Sequence, residues 1–295
     1  MLGSGSYTQN FDSLSMKSQN NLWRDNSTLP GWYAAKSISP ANITNYIASD
    51  GGDTAGSLYS FGSSGSSERA LGSIPSNTTG DIAYGLCFTN DTGNSVTNFI
   101  VTYTGEQWRN GGNSGGGGAN TLTFWYQVSP SALTDPEPAI LTNWTQVTNL
   151  NFVSPTVLAP GMPLNGNDST NRQIFTSVLI PGLIVIPGQN VFFRWRDIND
   201  TGPDQGMAVD DLIIAFGPLR PQITSVGLNP TNGFLQITGL GESNKTYSLQ
   251  AATNLAAPIF WQHLGTNTAD GSGLFQFTDT NAPAFLMRFY RALSR

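Results

Sequence analysis

The chain is built from short segments rich in β-branched and aromatic residues, each bounded by Gly, Pro, Asn or Asp. The clearest of them before residue 217 cover residues 99–103, 122–128, 174–180, 191–196 and 207–216. β-Branched and aromatic residues favour strands, and the bounding residues favour turns. No stretch of a dozen residues places its apolar side chains at helical spacing. The pattern therefore predicts an all-β protein made of sandwiches or a barrel.

The composition excludes several further classes of protein. Asp, Glu, Lys and Arg make up only 11% of the 295 residues, whereas they make up about a quarter of an average soluble protein. The formal net charge is -6 and the pI is about 4.6, which excludes a basic nucleic-acid-binding surface. Helical bundles and coiled coils, which are rich in Ala, Glu, Lys and Leu, are also disfavoured. No run approaches the roughly 18 apolar residues of a membrane-spanning helix, so we expect no transmembrane segment.

A domain boundary is predicted at Gly217-Pro218-Leu219-Arg220-Pro221, where two prolines interrupt strand pairing. The first domain is therefore expected to cover residues 1–217 and the second to cover residues 222–295. The second contains short segments with strand character at Ile223–Leu228, Gly233–Thr238, Thr246–Ala251, Ile259–Leu264, Leu274–Thr278 and Met287–Ala292. This rhythm predicts a small Greek-key sandwich.

The single cysteine, Cys87, excludes an intrachain disulfide, and its neighbours Leu86 and Phe88 predict a buried, unreactive side chain. The first residues have neither the basic region nor the apolar core of a signal peptide. We expect a secreted, extracellular protein whose export signal is missing from this chain.

Two blocks of sequence resemble known families. The first block carries Gln9–Asp12, Trp23–Tyr33, Leu58–Gly62, Glu68–Ser73, Tyr103–Arg109 and Ala208–Leu212. It resembles secreted bacterial jelly-roll domains of Verrucomicrobia, Planctomycetes and Bacteroidetes, and its early Phe-Asp and late Asp-Asp are similar to those of MAM and galactose-binding-like sandwiches. The second block, Tyr247–Leu255 with Trp261 and Phe289–Arg291, resembles fibronectin type III-like modules. The resemblance implies a jelly-roll β-sandwich followed by a fibronectin type III-like sandwich, and it implies no activity.

Acidic residues concentrate late in the first domain, where five of the 19 lie between Asp197 and Asp211. Oxygen ligands at close spacing suit Ca²⁺, although the spacing is not that of an EF-hand. Asp210 and Asp211 point to opposite faces of a strand, so at least one carboxylate is expected close to the core, where it needs a cation or several donors. In the families that the chain resembles, a cation joins the first strand to the last, which would recruit Asp12. The predicted ligands of a structural Ca²⁺ are Asp12, Asp197, Asn199, Asp200, Asp204, Asp210 and Asp211. A hydrogen-bonded surface turn without a metal is the alternative.

The candidates for catalysis are few. The only histidine, His263, lies in a predicted strand, and the chain has no Gly-x-Ser-x-Gly elbow. One His and one Cys cannot build a typical zinc site. Glu68, Glu106 and Asp81 could serve glycoside hydrolysis, but the simpler interpretation is that each Glu pairs with a nearby Arg or caps a turn. No catalytic residue is therefore predicted.

Aromatic residues indicate a ligand more clearly. The chain has seven tryptophans and nine tyrosines, and a sugar ring stacks on an aromatic face while amides bind its hydroxyl groups. The predicted ligand-binding residues are Trp32, Tyr33, Trp108 and Arg109. Trp32 and Trp108 lie beside turns, so we expect both to be exposed. We expect a non-catalytic binding or cell-adhesion protein directed at a polysaccharide or glycoconjugate. The alternatives are a protein that assembles with itself into a filament or surface layer, and a polysaccharide-active hydrolase or lyase.

Overall fold

The computed structural model describes residues 2, 5–93, 95–217, 221–242 and 244–295. The chain divides into two compact units, Met1–Gly217 and Pro218–Arg295. Strands make up nearly all of the regular structure, and the helical segments in the described ranges are the short 3₁₀ turns Ser114–Gly116, Thr148–Leu150 and Ala282–Ala284. The prediction of an all-β sandwich protein is confirmed.

The strands of the first unit form two sheets. They are β1 (Ser6–Gln9), β2 (Asn21–Leu22), β3 (Trp32–Lys36), β4 (Asn45–Ser49), β5 (Ser57–Phe61), β6 (Ala70–Ile74), β7 (Ile82–Thr89), β8 (Asn98–Asn110), β9 (Thr121–Ser129), β10 (Thr145–Gln146), β11 (Phe152–Val153), β12 (Met162–Pro163), β13 (Arg172–Leu179), β14 (Asn190–Asp197) and β15 (Gly206–Gly217). The nine-stranded sheet has the order β12-β8-β15-β6-β5-β4-β2, with β1 paired to β15 and β13 paired to β8. The six-stranded sheet has the order β10-β9-β14-β7-β3, with β11 paired to β9. Pairing is antiparallel except between β4 and β5.

The main core lies between these two sheets and is rich in aromatic side chains. Trp195 and Phe124 from the six-stranded sheet pack edge to face with a ring-centroid distance of 5.0 Å. Tyr103 from the nine-stranded sheet meets Trp195 in the same geometry at 5.5 Å. Burial of such large apolar surfaces is the main source of folding free energy.

A smaller core covers the other face of the nine-stranded sheet. It contains Tyr59, Phe61, Ile74, Trp108 and Ala208, and the rings of Phe61 and Trp108 stack 6.3 Å apart. Side chains alternate between the two faces of a strand, so a strand covered on both faces has no exposed positions. Residues 206–210 of β15 are all buried for this reason, and polar side chains at these positions are removed from water.

The second unit is a sandwich of two three-stranded sheets. Its strands are β16 (Gln222–Leu228), β17 (Leu235–Leu240), β18 (Thr246–Ala252), β19 (Gln262–Thr268), β20 (Leu274–Asp279) and β21 (Phe289–Ser294). The sheet orders are β16-β17-β20 and β19-β18-β21, and Ile237, Tyr247, Leu249 and Phe275 form the centre of the core.

Three strands of the second unit begin later than the sequence pattern predicts. β17 begins at Leu235 instead of Gly233. β19 begins at Gln262 instead of Ile259, and β21 begins at Phe289 instead of Met287. The residues before them lie in loops: Phe260 and Met287 are exposed. Apolar character was a misleading strand signal there, because these side chains do not pack in the core.

The two residue types that could have carried thiol or imidazole chemistry have ordinary structural positions. Cys87 is half-buried on β7, less buried than expected, and burial raises the pKa of its thiol. His263 lies on β19 as predicted, and its Nδ1 lies 2.9 Å from Oγ of Ser248. In the described residues, no helix is long and apolar enough to cross a membrane.

Candidate functional site

Three carboxylates meet on the face of the nine-stranded sheet that the smaller core covers. Glu106 lies on β8 opposite Ala208 of β15, and Asp210 follows two residues later on β15. Glu68 lies two residues before β6, which pairs with the other edge of β15. One carboxylate oxygen from each acid lies within 4.8 Å of the other two. Glu68, Glu106 and Asp210 are called the carboxylate cluster below.

The carboxylate cluster is withdrawn from water but incompletely hydrogen-bonded. Glu106 is only 1% exposed and Asp210 only 4%. The Trp108 indole N–H donates to Oε2 of Glu106 at 2.8 Å, and Nδ2 of Asn167 donates to Oε2 of Glu68 at 2.5 Å. Oδ1 of Asp210 and Oε1 of Glu68 are buried and have no hydrogen-bond partner among the described residues. A buried carboxylate oxygen is costly unless a donor or a cation satisfies it.

Proximity and burial raise the pKa values of Glu106 and Asp210. Burial, then the charges of Glu68 and Asp211, raises the pKa of Glu106 to about 7, although the Trp108 hydrogen bond and Arg172 act in the opposite direction. Burial is also the largest cause that raises the pKa of Asp210, with further contributions from Glu106, Asp211 and Glu68. Three carboxylates this close cannot all remain ionised without a compensating positive charge.

The donor set of the cluster determines which cation could neutralise it. All three side chains offer carboxylate oxygens, the ligands that Ca²⁺ and Mg²⁺ prefer, and neither His nor Cys is present to favour zinc. The alternatives to a cation are the charges of Arg172 and Arg69, which act on Glu106 and Glu68, and protonation, in which the acids share protons. Glu106 is too buried to reach a polysaccharide, so the geometry does not favour a hydrolase that uses it.

A β-bulge separates the two adjacent aspartates. The register of β15 against β8 shifts between Asp210 and Ile213, and Asp211 adopts a φ of 49° in this segment. Asp tolerates this left-handed conformation better than most residues. Asp210 is consequently buried and Asp211 exposed, which confirms the expectation that at least one of the two carboxylates lies close to the core.

The predicted cation ligands do not converge on one point. Asp12 lies beside Arg69, whose backbone N–H its Oδ1 accepts at 3.1 Å. Asp197 is buried, its Oδ2 accepts a 2.7 Å hydrogen bond from Ser73 Oγ, and burial raises its pKa well above the usual range. Among the described residues, the carboxylate cluster is the only group of three acidic, His or Cys ligands within 4.8 Å of one another. Of the predicted ligands, only Asp210 belongs to it.

Asn199 and Asp204 instead line a solvent-accessible depression, which we call the polar cleft. Its walls are formed by Thr54, Ile74, Pro75, Ser76, Asn77, Arg109, Gly111, Asn199, Gly202, Pro203 and Asp204. The Asn199 amide donates to Oδ1 of Asn77 at 3.1 Å, and Nη1 of Arg109 donates to the carbonyl oxygen of Gly51 at 3.0 Å. The cleft thus presents hydroxyl, amide, guanidinium and carboxylate groups.

The carboxylate at the polar cleft is also perturbed. Oδ1 of Asp204 accepts the backbone N–H of Asp200 at 3.0 Å. Burial is the main cause that raises the pKa of Asp204 to about 7, and the charges of Asp200 and Asp81 add to it. Its charge therefore changes close to neutral pH.

The expectation that Trp32 and Trp108 are exposed is wrong, because both indoles belong to cores and are almost completely buried. Trp32 stacks on Trp195 at 6.0 Å. Tyr33 is half-buried and packs against Phe192 at 5.8 Å. Of the four predicted ligand-binding residues, Arg109 is the one that lines the polar cleft.

Sequence reasoning considered Glu68 and Glu106 separately and missed that they meet Asp210. Neither Glu68 nor Glu106 is in a described ion pair with an Arg: the described pairs are Arg196–Asp81, Lys245–Glu242 and Arg288–Asp279. A signal was present in the alternation of β8, which places Glu106 and Trp108 on one face. The strand pairing that brings Asp210 beside them could not be read from a single sequence.

Comparisons with known proteins give no family. No protein-family model and no curated protein matches the chain. Among solved structures, the adhesin domain of Epf from Streptococcus pyogenes is similar with a TM-score of 0.26 and 11% identity, over 76% of this chain and 70% of the other. The CBM22-1-CBM22-2 tandem domain of Paenibacillus barcinonensis Xyn10C is similar with a TM-score of 0.28 and 9% identity, over 96% and 92% of the two chains. A GH2 beta-galacturonidase from Eisenbergiella tayi has a TM-score of 0.22 and 10% identity, over 90% and 38%. Similarities this low do not assign a function.

Proposed function

We propose that the chain is a secreted, non-catalytic binding or adhesion protein. Its first domain binds a glycan at the polar cleft, and Ca²⁺ held by the carboxylate cluster stabilises the sandwich. The observation that carries the binding function is the polar cleft itself, an accessible surface that concentrates hydrogen-bonding side chains in a chain with little charge. Glycans are polyols, and such groups match their hydroxyls.

The predicted residue Arg109 supports this role for the cleft. Its Nη1 donates to the Gly51 carbonyl oxygen, which fixes the guanidinium on the cleft wall. The amides of Asn77 and Asn199 line the same cleft. A donor that is already positioned loses less conformational entropy when a ligand binds. The bound sugar would be recognised mainly through hydrogen bonds, because the tryptophans first expected to stack on it are buried.

The carboxylate cluster supports the cation. Oδ1 of Asp210 is a buried oxygen without a donor, and such an atom fits a ligand position of a hard cation. Glu68 and Glu106 supply further oxygens within 4.8 Å, and backbone or water oxygens would complete the about six to eight ligands that Ca²⁺ takes. The cation would join β8, β15 and the segment before β6.

A glycan array followed by calorimetric titration tests the binding function. We expect the full chain to bind at least one polysaccharide, and we expect Arg109→Gln to weaken that binding about tenfold or more. Arg24→Gln, which changes an exposed arginine outside the cleft, is the matched control. Absence of binding across the array, or equal binding by Arg109→Gln and wild type, would contradict the proposal. Release of new reducing ends from the same polysaccharides would indicate the enzymatic alternative instead.

The cation is tested separately by thermal unfolding. We expect the melting temperature of the first domain to fall in EGTA and to recover when Ca²⁺ is added in excess. An unchanged melting temperature would exclude a stabilising Ca²⁺ and leave shared protons and the charges of Arg69 and Arg172 as the means by which the cluster is neutralised. Size-exclusion chromatography of the same samples shows whether the chain assembles with itself.

A further inference from the structure

One end of the second domain exposes apolar side chains on two neighbouring loops. Ala251, near the end of β18, pairs with Gln262 at the start of β19, and Ala252 pairs with Phe289 at the start of β21. The loops of residues 253–261 and 280–288 therefore lie at the same end of the sheet. We call this the apolar end.

The loops at the apolar end carry unusually large exposed side chains. They are Leu255, Ile259, Phe260, Phe285, Leu286 and Met287. Phe260 is 83% exposed and Leu286 is 111% exposed, so both project from the surface instead of folding back on it. Single exposed apolar residues are ordinary, but a contiguous group of this size marks an interaction surface.

The exposed charge at the apolar end has one sign, whereas the opposite end carries Arg295, whose backbone N–H donates to the carbonyl oxygen of Thr246, as well as an acid. Arg291 is exposed at the apolar end, where its guanidinium lies 4.2 Å from the centre of the Trp261 ring. Neither loop contains an acidic residue. The exposed acid Asp270 follows β19, whose last residue Thr268 pairs with Thr246 at the start of β18, so it lies at the opposite end. The unpaired exposed charge at the apolar end is thus basic.

A buried ion pair lies at the base of one of the loops of the apolar end. Nη1 of Arg288 lies 3.1 Å from Oδ2 of Asp279, and the Arg288 guanidinium lies 4.3 Å from the centre of the Phe285 ring. Nη2 of Arg288 also donates to Oε1 of Gln262. These contacts tie the two loops together, so the apolar side chains are held on a fixed base.

We propose that the apolar end inserts into the surface of an anionic lipid bilayer. Protruding apolar loops need no complementary groove in a bilayer, because the boundary between headgroups and acyl chains adapts to their shape. Basic residues beside the loops are attracted to anionic headgroups. A stable dimer normally buries about 800 Å² and about 20–30 residues on each partner. Six exposed side chains on two loops are far fewer, so the observations favour lipid over a second copy of the chain.

Vesicle flotation of the full chain tests this inference. We expect the protein to float with vesicles of phosphatidylcholine mixed with phosphatidylserine, and to float less with phosphatidylcholine alone. The double variant Phe260→Ser/Leu286→Ser is expected to reduce the partition coefficient at least about tenfold, because it removes two apolar side chains from the bilayer. Arg291→Gln is expected to reduce it only for the anionic vesicles.

A matched control separates insertion from general stickiness. Leu22→Ser removes an apolar side chain that is 62% exposed in the first domain, and it should leave flotation unchanged. All replaced side chains are exposed, so circular dichroism and melting should show intact folding. No flotation with either vesicle, or equal flotation of the double variant and wild type, would overturn the proposal. A concentration-dependent dimer abolished by the double variant, without vesicle binding, would overturn it in favour of a second copy.

Discussion

The indole N–H of Trp108 donates a 2.8 Å hydrogen bond to Oε2 of Glu106, two residues earlier on the same strand. Alternation along β8 places both side chains on the face that the smaller core covers. Glu106 therefore contributes a buried carboxylate. Trp108 contributes the hydrogen-bond donor to this carboxylate and part of the apolar core that covers it. The bond satisfies only one oxygen of the carboxylate cluster, and this incomplete satisfaction leads to the first two predictions.

Asp210→Asn is expected to have opposite effects with and without Ca²⁺. The amide has nearly the same shape as the carboxyl group but carries no charge, so it relieves repulsion among three neighbouring acids. In EGTA at pH 8, the variant should melt at a higher temperature than wild type. In excess Ca²⁺ it should melt at a lower temperature, because a ligand has been lost. Thermal unfolding followed by tryptophan fluorescence measures both, since six of the seven tryptophans precede residue 217.

Asp211→Asn is the control for that experiment. Asp211 is exposed, and Asn tolerates its φ of 49° as well as Asp does. Its melting temperature should shift much less than that of Asp210→Asn under either condition. If the two variants behave alike, the effect is a general one of net charge and the cluster has no special role.

The stability of the Ca²⁺-free chain is expected to fall as the pH rises from about 4.5 to about 7. The pKa of Glu106 is about 7 in the folded chain and 4.5 ordinarily, so the folded state holds more protons than the unfolded state within this window. The free energy of unfolding must then decrease with pH. Bound Ca²⁺ competes with these protons, so excess Ca²⁺ should weaken or reverse the slope.

Urea unfolding at a series of pH values measures this slope. Glu106→Gln removes one titrating group and should give a shallower decrease in EGTA than wild type does. Stability that rises steadily with pH in EGTA would contradict the assignment of a raised pKa to these buried acids.

Gly51→Ala is expected to destabilise the first domain strongly. Gly51 adopts a φ of +93°, and a Cβ atom there would lie 1.9 Å from the backbone oxygen of Trp108. Two backbone segments would have to separate, which typically costs about 2 kcal/mol or more in addition to the strain of the left-handed conformation. Gly65→Ala isolates that strain, since Gly65 has a φ of +77° with nothing within 4 Å of the added atom. Equal losses in urea unfolding would mean that the loop moves aside freely.

The sequence predicted the class of fold well because alternation and turn residues are local signals. Residues 207–216, for instance, were expected to form a strand and do so within β15. Exposure was harder to predict: Trp108 lies beside a Gly-rich loop, yet it is buried by a second core whose other members come from β5, β6 and β15. The carboxylate cluster depends in the same way on which strands pair, and Glu68, Glu106 and Asp210 are far apart in the chain. Long-range pairing of this kind leaves no mark on the local pattern.

Arg194→Lys is expected to destabilise the first domain even though the positive charge is kept. The Arg194 side chain is completely buried, and it donates from Nη1 to the carbonyl oxygens of Pro136 and Glu137 at 2.6 Å and from Nη2 to that of Ile140 at 2.8 Å. Its guanidinium carbon also lies 3.7 Å from the centre of a Trp144 ring. The planar fork satisfies this geometry, whereas an ammonium group cannot reach all three carbonyls while it stacks on the indole. We expect a loss of about 2–4 kcal/mol in the free energy of unfolding.

The matched substitution Arg24→Lys changes an exposed arginine and should alter the free energy of unfolding by less than about 0.5 kcal/mol. Urea unfolding followed by tryptophan fluorescence compares the two variants directly. The segment of residues 136–140 is attached to the sheet through the Arg194 guanidinium, so its amide hydrogens should also exchange faster in Arg194→Lys than in wild type. A loss as small as that of Arg24→Lys, with unchanged exchange, would show that the hydrogen bond from Arg196 to the Pro138 carbonyl oxygen and the packing of Trp144 hold this segment on the six-stranded sheet.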